Sequence, residues 1–161
     1  MASVYHFFPG PAAVSIGLAE RYLAGLADVI GQPVADAASQ PWPAIVATLM
    51  DRAVAFYVEH PYAQQLILGS DHSWQIRQSD LANNRLLAAF VADMLEGKFP
   101  QADRSALLQA TIIAISVGDA VLALAVAEPG GITLTSGREA TLAICGYMTA
   151  KFGDGPPPIV D

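Results

Sequence analysis

Basic residues and cysteines are both scarce in this chain of 161 residues. Eight lysines and arginines stand against 15 aspartates and glutamates, which gives a formal net charge of −7. Because an acidic surface repels nucleic acid phosphates, this composition argues against a broad phosphate-binding patch. The lone cysteine, Cys145, excludes an internal disulfide and a multi-cysteine metal cluster, and it fits a reducing compartment. Residues 1–6 lack the basic region and apolar run of a secretory signal, so we expect a cytoplasmic protein.

Charged residues of either sign are few as well. They make up 14% of the chain and hydrophobic residues make up 53%, whereas an average soluble domain has roughly 25% and 45–50%. This excess indicates surface hidden from water by a dimer interface, an apolar cavity or a membrane. The candidate membrane segment, Leu107 to Ala127, approaches the ~20 residues that a bilayer requires. Asp119 disfavours insertion by ~2.5–3.5 kcal/mol, and an apolar helix can equally be buried in an oligomer, so we expect no membrane contact.

The spacing of apolar residues is helical along nearly the whole chain, without the sustained alternation of a strand. Proline, glycine and capping residues divide this pattern. The sequence therefore predicts an all-α fold, a bundle of about six helices in one domain. Each predicted helix is given by its start and its end: Pro11 to near Gly31; near Pro41-Trp42-Pro43 to His60; Tyr62 to Leu68; a start between Trp74 and Asp80 to Gly97; after Asp103 to Glu128; and a capping box of Ser136 and Glu139 to Phe152.

The N-terminal stretch is typical of the end of a short helix, a tight aromatic turn and the start of a long amphipathic helix. Its sequence is Ser3-Val4-Tyr5-His6-Phe7-Phe8-Pro9-Gly10-Pro11. This order resembles the junction in TetR-type bacterial regulators, where Leu/Val-Tyr-x-His-Phe, a small residue and a lysine lead into the regulatory body. The resemblance implies that 1–9 are the end of the recognition helix and its junction turn, that 10–153 are an effector-binding and dimerisation domain, and that 154–161 are an extended tail. It also implies a homodimer through the two C-terminal helices.

Four residues of this stretch correspond to DNA-contacting positions of the family. The residues are Ser3, Val4, Tyr5 and His6. Tyr5 matches the tyrosine that usually binds a phosphate, although it can also belong to a hydrophobic plug with Phe7 and Phe8. Two departures lower the expected affinity for DNA, because Phe7 replaces the family histidine and Pro11 replaces a phosphate-contacting lysine. We therefore expect operator DNA to bind only through a more complete N-terminal helix-turn-helix.

Unusually large side chains recur on three consecutive predicted helices. In a bundle, such side chains can line an apolar pocket, which is the usual form of a small-molecule site. His72, Arg77 and Asn84 are placed to orient a ligand there. For any single large residue, ordinary core packing is the alternative. The candidate ligand-binding residues are Met50, Tyr57, Tyr62, Trp74, Phe90 and Met94, and Phe56 belongs to the same set.

Asp119 completes the candidate ligand site. It lies among apolar residues such as Val117 and Leu122, so helical periodicity does not place it in water. A buried carboxylate must be paired, hydrogen-bonded or neutral. We expect Arg138 or Arg52 as its cationic partner. Both an ion pair at the dimer interface and a ligand-facing role remain open at this point.

The chain shows no motif for catalysis or for binding a cofactor. His6, His60 and His72 lack metal-ligand spacing, and there is no glycine-rich phosphate loop. We therefore predict that the protein is not an enzyme and binds neither metal nor cofactor. The favoured function is the effector-binding and dimerisation domain of a TetR-like repressor, whose DNA affinity changes with a small hydrophobic or aromatic ligand. The alternative is a stand-alone helical dimer that binds such a molecule without acting on DNA.

Overall fold

The computed structural model describes residues 10–70 and 73–153, which form six helices and no strand. The all-α prediction is thus confirmed. The expected recognition-helix end (1–9) with its DNA contacts Ser3, Val4, Tyr5 and His6, and the expected tail (154–161), lie outside the described residues. The helices are α1 (Pro11–Ile30), α2 (Trp42–Glu59), α3 (Pro61–Ala63, continued by a π-helical segment, Gln64–Leu68), α4 (Trp74–Leu95, continued by a 3-10 turn, Glu96–Lys98), α5 (Arg104–Ala127) and α6 (Leu134–Phe152).

Local capping chemistry fixes where the last two helices begin. The Asp103 side chain accepts hydrogen bonds from the backbone N–H groups of Ser105 and Ala106, both at 3.2 Å, as the sequence predicts for α5. The predicted capping box of Ser136 and Glu139 is wrong, because α6 begins one turn earlier. Thr133 is the N-cap residue: its hydroxyl accepts from the Ser136 N–H at 3.3 Å, and the Ser136 hydroxyl accepts from the Thr133 N–H at 2.8 Å.

Five helices form a closed ring around the core. α1 packs on α2, α2 on α6, α6 on α5, α5 on α4, and α4 again on α1. At one end of the bundle, the aromatic side chains of Trp42, Phe99 and Phe152 contact one another in series, with tilted planes and centroids 5.3 and 5.4 Å apart. This aromatic cluster joins the start of α2, the loop after α4 and the end of α6, so it closes that end of the core.

The opposite end of the ring is held by one buried side chain, Gln64. Pro61 has no N–H, so the Tyr57 carbonyl, four residues earlier, lacks its usual helical donor. The Gln64 amide supplies one, because its Nε2 donates to that carbonyl at 2.8 Å. Its Oε1 accepts from the Ile132 N–H at 3.1 Å. A Cβ at Gly131, where φ is +65°, would lie 2.7 Å from the same Oε1, so the α5–α6 loop requires glycine there.

Within the described residues, α5 is the one helix long and apolar enough to cross a membrane by length and composition. Core helices of ordinary domains pass the same criterion. Here α5 packs against α4 and α6 and buries Leu107, Leu122 and Val126 in the bundle. Its remaining faces keep apolar residues accessible, among them Ile113 and Leu124.

Candidate ligand-binding cavity

A cavity of about 100 Å³ lies inside the ring of helices. All five ring helices contribute to its wall, and most of that wall is aliphatic. Leu26 of α1, Leu49 of α2, Leu87 of α4, Leu122 of α5 and Met148 of α6 represent the five sides. An apolar cavity of ~150 Å³ in another protein stays dry and binds benzene. The space here therefore matches the body of a small apolar molecule.

Three polar side chains interrupt this wall and lie close together. The Asn84 amide Nδ2 donates to Asp119 Oδ2 at 2.7 Å, and both residues line the cavity. Tyr57, which is 2% exposed, lines it too and carries a phenol hydroxyl. Thr111 is the other polar lining residue, but its hydroxyl already donates to the Leu107 carbonyl at 2.8 Å. The cavity thus has an apolar body and one polar end.

A second carboxylate lies behind this polar end. Asp80 is 3% exposed, and its Oδ2 is 2.8 Å from the Arg77 guanidinium, one helical turn away on α4. Asp80 and Asp119 are close enough to repel each other electrostatically. The Arg77 guanidinium therefore acts on both carboxylates at this end of the cavity.

These surroundings disfavour the charged form of Asp119. Burial, and then the Asp80 carboxylate, raise the pKa of Asp119 from 3.8 to about 7, against the smaller lowering effects of Asn84 and Arg77. The same causes act on the neighbouring phenol. Burial, followed by the charges of Asp119 and Asp80, raises the pKa of Tyr57 well above its ordinary value. Near neutral pH, the cavity therefore holds a neutral phenol beside a carboxyl group poised between its two forms.

Asp119→Asn is expected to stabilise the protein at pH 8 by roughly 2–4 kcal/mol. Because the pKa of Asp119 is raised on folding, the folded state holds its proton more tightly than the unfolded chain does. The free energy of unfolding of the native protein therefore falls as pH rises from about 4 to about 7. The variant has no titrating group at this position, so its free energy of unfolding does not fall for this reason. Urea unfolding at pH 8, 6 and 4.5 measures the difference, which should shrink steadily toward acid pH.

Asp51→Asn is the matched control, since Asp51 is exposed on α2. It should leave the free energy of unfolding within about 0.5 kcal/mol of the native value at each pH. An Asp119→Asn variant that is destabilised at pH 8 would show instead that the ionised carboxylate contributes favourably to the fold.

The structure brings three of the predicted ligand residues, Met50, Tyr57 and Asp119, together on the cavity wall. Phe90 and Met94 are partly buried against the core but lie outside the lining. Tyr62 and Trp74 are 57% and 72% exposed, and Tyr62 borders a separate surface depression beside Ser15.

The structure also shows the positions of most of the polar residues that were expected to orient a ligand or to pair with Asp119. Asn84 does reach the cavity, Arg77 pairs with Asp80, and His72 lies outside the described residues. Asp119 meets Asn84 rather than either predicted arginine. Arg52 instead donates to the carbonyls of Gln32 and Pro33, at 2.6 and 2.9 Å.

Besides Thr111, the polar residue of this site that sequence reasoning missed is Asp80. A signal for it exists in the α4 sequence, because Asp80 and Asn84 continue the buried stripe of Leu87, Val91 and Leu95 at helical spacing. Two polar residues on such a stripe indicate a polar cluster in the core. Phe90 and Met94, the larger side chains, lie beside this stripe rather than on it.

A comparison with protein families supplies independent information on the chain. A family model described as a tetracyclin repressor-like, C-terminal domain matches residues 40–150. The chain therefore belongs to this family of TetR regulatory domains. No curated protein and no solved structure matches the chain significantly. The matched residues span α2 to α6 and so include most of the cavity wall.

Proposed function

We propose that this chain is the effector-binding and dimerisation domain of a TetR-like repressor, and that a small hydrophobic ligand in the cavity changes its affinity for DNA. The observation that carries the proposal is the cavity built by all five ring helices. A molecule bound there contacts every helix of the ring at once. It can therefore favour one packing of the bundle over another, provided that its affinity for the two packings differs.

The N-terminal helix gives the ligand a route to the DNA-reading part of the protein. α1 contributes Leu26 and Ile30 to the cavity wall, and its first residues follow the stretch that resembles a recognition-helix junction. A shift of α1 on ligand binding would move the attached helix-turn-helix relative to its counterpart in the second subunit. Operator binding in this scheme requires a helix-turn-helix more complete than residues 1–9.

The dimer in this proposal forms through α5 and α6, which pack side by side. Ile113, Val117, Ala120 and Leu124 recur at helical spacing on one accessible side of α5. On α6, Leu142 is 67% exposed and is followed one turn later by Gly146, which allows close approach of a second backbone. Exposed apolar surface on two adjacent helices is typical of a subunit interface.

Thermal shift with toluene and indole tests the binding function. With either probe at about ten times its Kd, the melting temperature should rise by roughly 3 °C. Ala114→Leu, which extends a buried cavity residue of α5 into the space, should abolish this rise. Leu122→Ala enlarges the cavity and should strengthen indole binding.

Ala82→Leu is the control, because Ala82 is exposed on α4 and away from the cavity lining. It should respond to both probes as the native protein does. If neither the native protein nor Leu122→Ala binds either probe, the cavity is not a ligand site and the proposed function fails.

A further inference from the structure

We propose that the cavity selects a lipophilic amine, and that Asp119, Asn84 and Tyr57 together bind its ammonium group at the polar end. This inference rests on the proposed function, since it names the chemical class of the ligand for the same cavity. It does not follow from an apolar wall alone, which suits neutral hydrocarbons equally well.

The arrangement of hydrogen-bonding atoms favours a donor in the ligand. Asp119 offers its carboxylate oxygens, and its one hydrogen bond among the described residues comes from Asn84. Asn84 donates one of its two amide N–H groups to Asp119, and its carbonyl oxygen can accept a hydrogen bond. The oxygen of the Tyr57 hydroxyl, which also belongs to the cavity lining, can accept as well. An ammonium group has three donors and no acceptor, which complements this set.

The charge balance at the polar end points the same way. When both aspartates are ionised, Asp80 and Asp119 place two negative charges near the positive charge of Arg77. Arg77 is already paired with Asp80 at 2.8 Å, and no described residue forms an ion pair with Asp119. A bound ammonium would neutralise the remaining charge in a water-poor environment, where a close ion pair is strongest. When both aspartates are ionised, a carboxylate ligand would add a third negative charge, which disfavours its binding.

Among the described residues that line the cavity, Asp119 is the one charged side chain. α2 supplies the Tyr57 phenol and α4 supplies Asp80 and Arg77, while the α1 and α6 lining consists of apolar side chains such as Ile30 and Ile144. Asp119 is therefore the acidic group that a cationic ligand would meet on entering the apolar space.

Three probes of nearly equal shape test the selectivity: benzylamine, benzyl alcohol and benzoate. Isothermal titration at pH 7.5 should show that the native protein binds benzylamine at least tenfold more tightly than benzyl alcohol, and benzoate not detectably. In Asp119→Asn, the affinity for benzylamine should fall to that for benzyl alcohol, while toluene binding is retained. Asp51→Asn, the exposed control, should keep the native preference.

The pH dependence gives a second readout. Benzylamine needs the ionised form of Asp119, whose pKa is about 7, so its affinity should rise roughly 20-fold between pH 5.5 and 7.5. Toluene affinity should not change over this range, and the rise should disappear in Asp119→Asn.

The outcomes separate this inference from the proposed function. If toluene binds but benzylamine and benzyl alcohol bind equally, the amine inference is overturned and the cavity remains a site for neutral ligands. A preference for benzylamine that survives in Asp119→Asn overturns it as well. If no probe binds in any variant, both proposals fall together.

Discussion

Replacing Leu124 and Leu142 together by glutamate is expected to convert the proposed dimer into monomers. Both residues lie on the apolar surface of α5 and α6, at 71% and 67% exposure in the single chain. In a twofold dimer the double variant would bury four carboxylates, and each buried unpaired charge costs several kcal/mol. The dissociation constant should rise by more than about 1,000-fold. Sedimentation equilibrium across a dilution series measures it.

Leu86→Glu provides a matched control on another face. Leu86 is 73% exposed but belongs to α4, outside the proposed interface. Its glutamate variant should dimerise like the native protein. Equal dissociation constants for the double variant and the native protein would show that α5 and α6 do not form the interface. A monomeric native protein would contradict the proposed dimer itself.

Gln64→Leu is expected to destabilise the protein by about 3 kcal/mol. Leucine is similar in size but leaves the Tyr57 carbonyl and the Ile132 N–H without their partner at a buried position. Each buried polar group left unsatisfied costs ~1–3 kcal/mol. For a domain of this size the melting temperature should fall by roughly 6–12 °C. Differential scanning calorimetry at fixed protein concentration measures both quantities.

The neighbouring glutamine supplies the control for this substitution. Gln65 is exposed, so Gln65→Leu should change the free energy of unfolding by less than about 0.5 kcal/mol. Gln64→Glu keeps the acceptor for Ile132 but loses the donor to Tyr57, and it should be at least as destabilising as leucine because it also buries a charge. If Gln64→Leu and Gln65→Leu are equally stable, the two hydrogen bonds of Gln64 do not hold this end of the bundle.

Helix number and most helix ends were accessible from the sequence because local chemistry determines them. Pro11 at the first turn of α1 and Asp103 at the cap of α5 act within a few residues of their own positions. The start of α6 was missed because two overlapping motifs compete there, and the Thr133 side chain is the one that bonds. The π-helical continuation of α3 depends on packing and on Gln64, whose partner Ile132 is 68 residues away.

The candidate site was only partly predictable, for a physical reason. Large aromatic side chains were expected to line a cavity, yet Trp74 lies at the surface and Phe90 packs against the core. Cavities persist where side chains are too short to fill the space, as at Ala53 and Ala114. Asp119 was identified because a carboxylate on an apolar helix is conspicuous in the sequence alone. Its partner was not, because the pairing with Asn84 depends on how α4 and α5 pack.

The two hydrogen bonds of Gln64 also bear on the order in which the bundle assembles. Its bond to Tyr57 spans seven residues, whereas its bond to Ile132 spans 68 and needs α4 and α5 to be in place. Closing so long a loop reduces the conformational entropy of the chain before the contact can form. During synthesis, Gln64 can therefore form its second hydrogen bond only after the residues that follow α5 have been made. We expect this end of the domain to complete its native contacts late in folding.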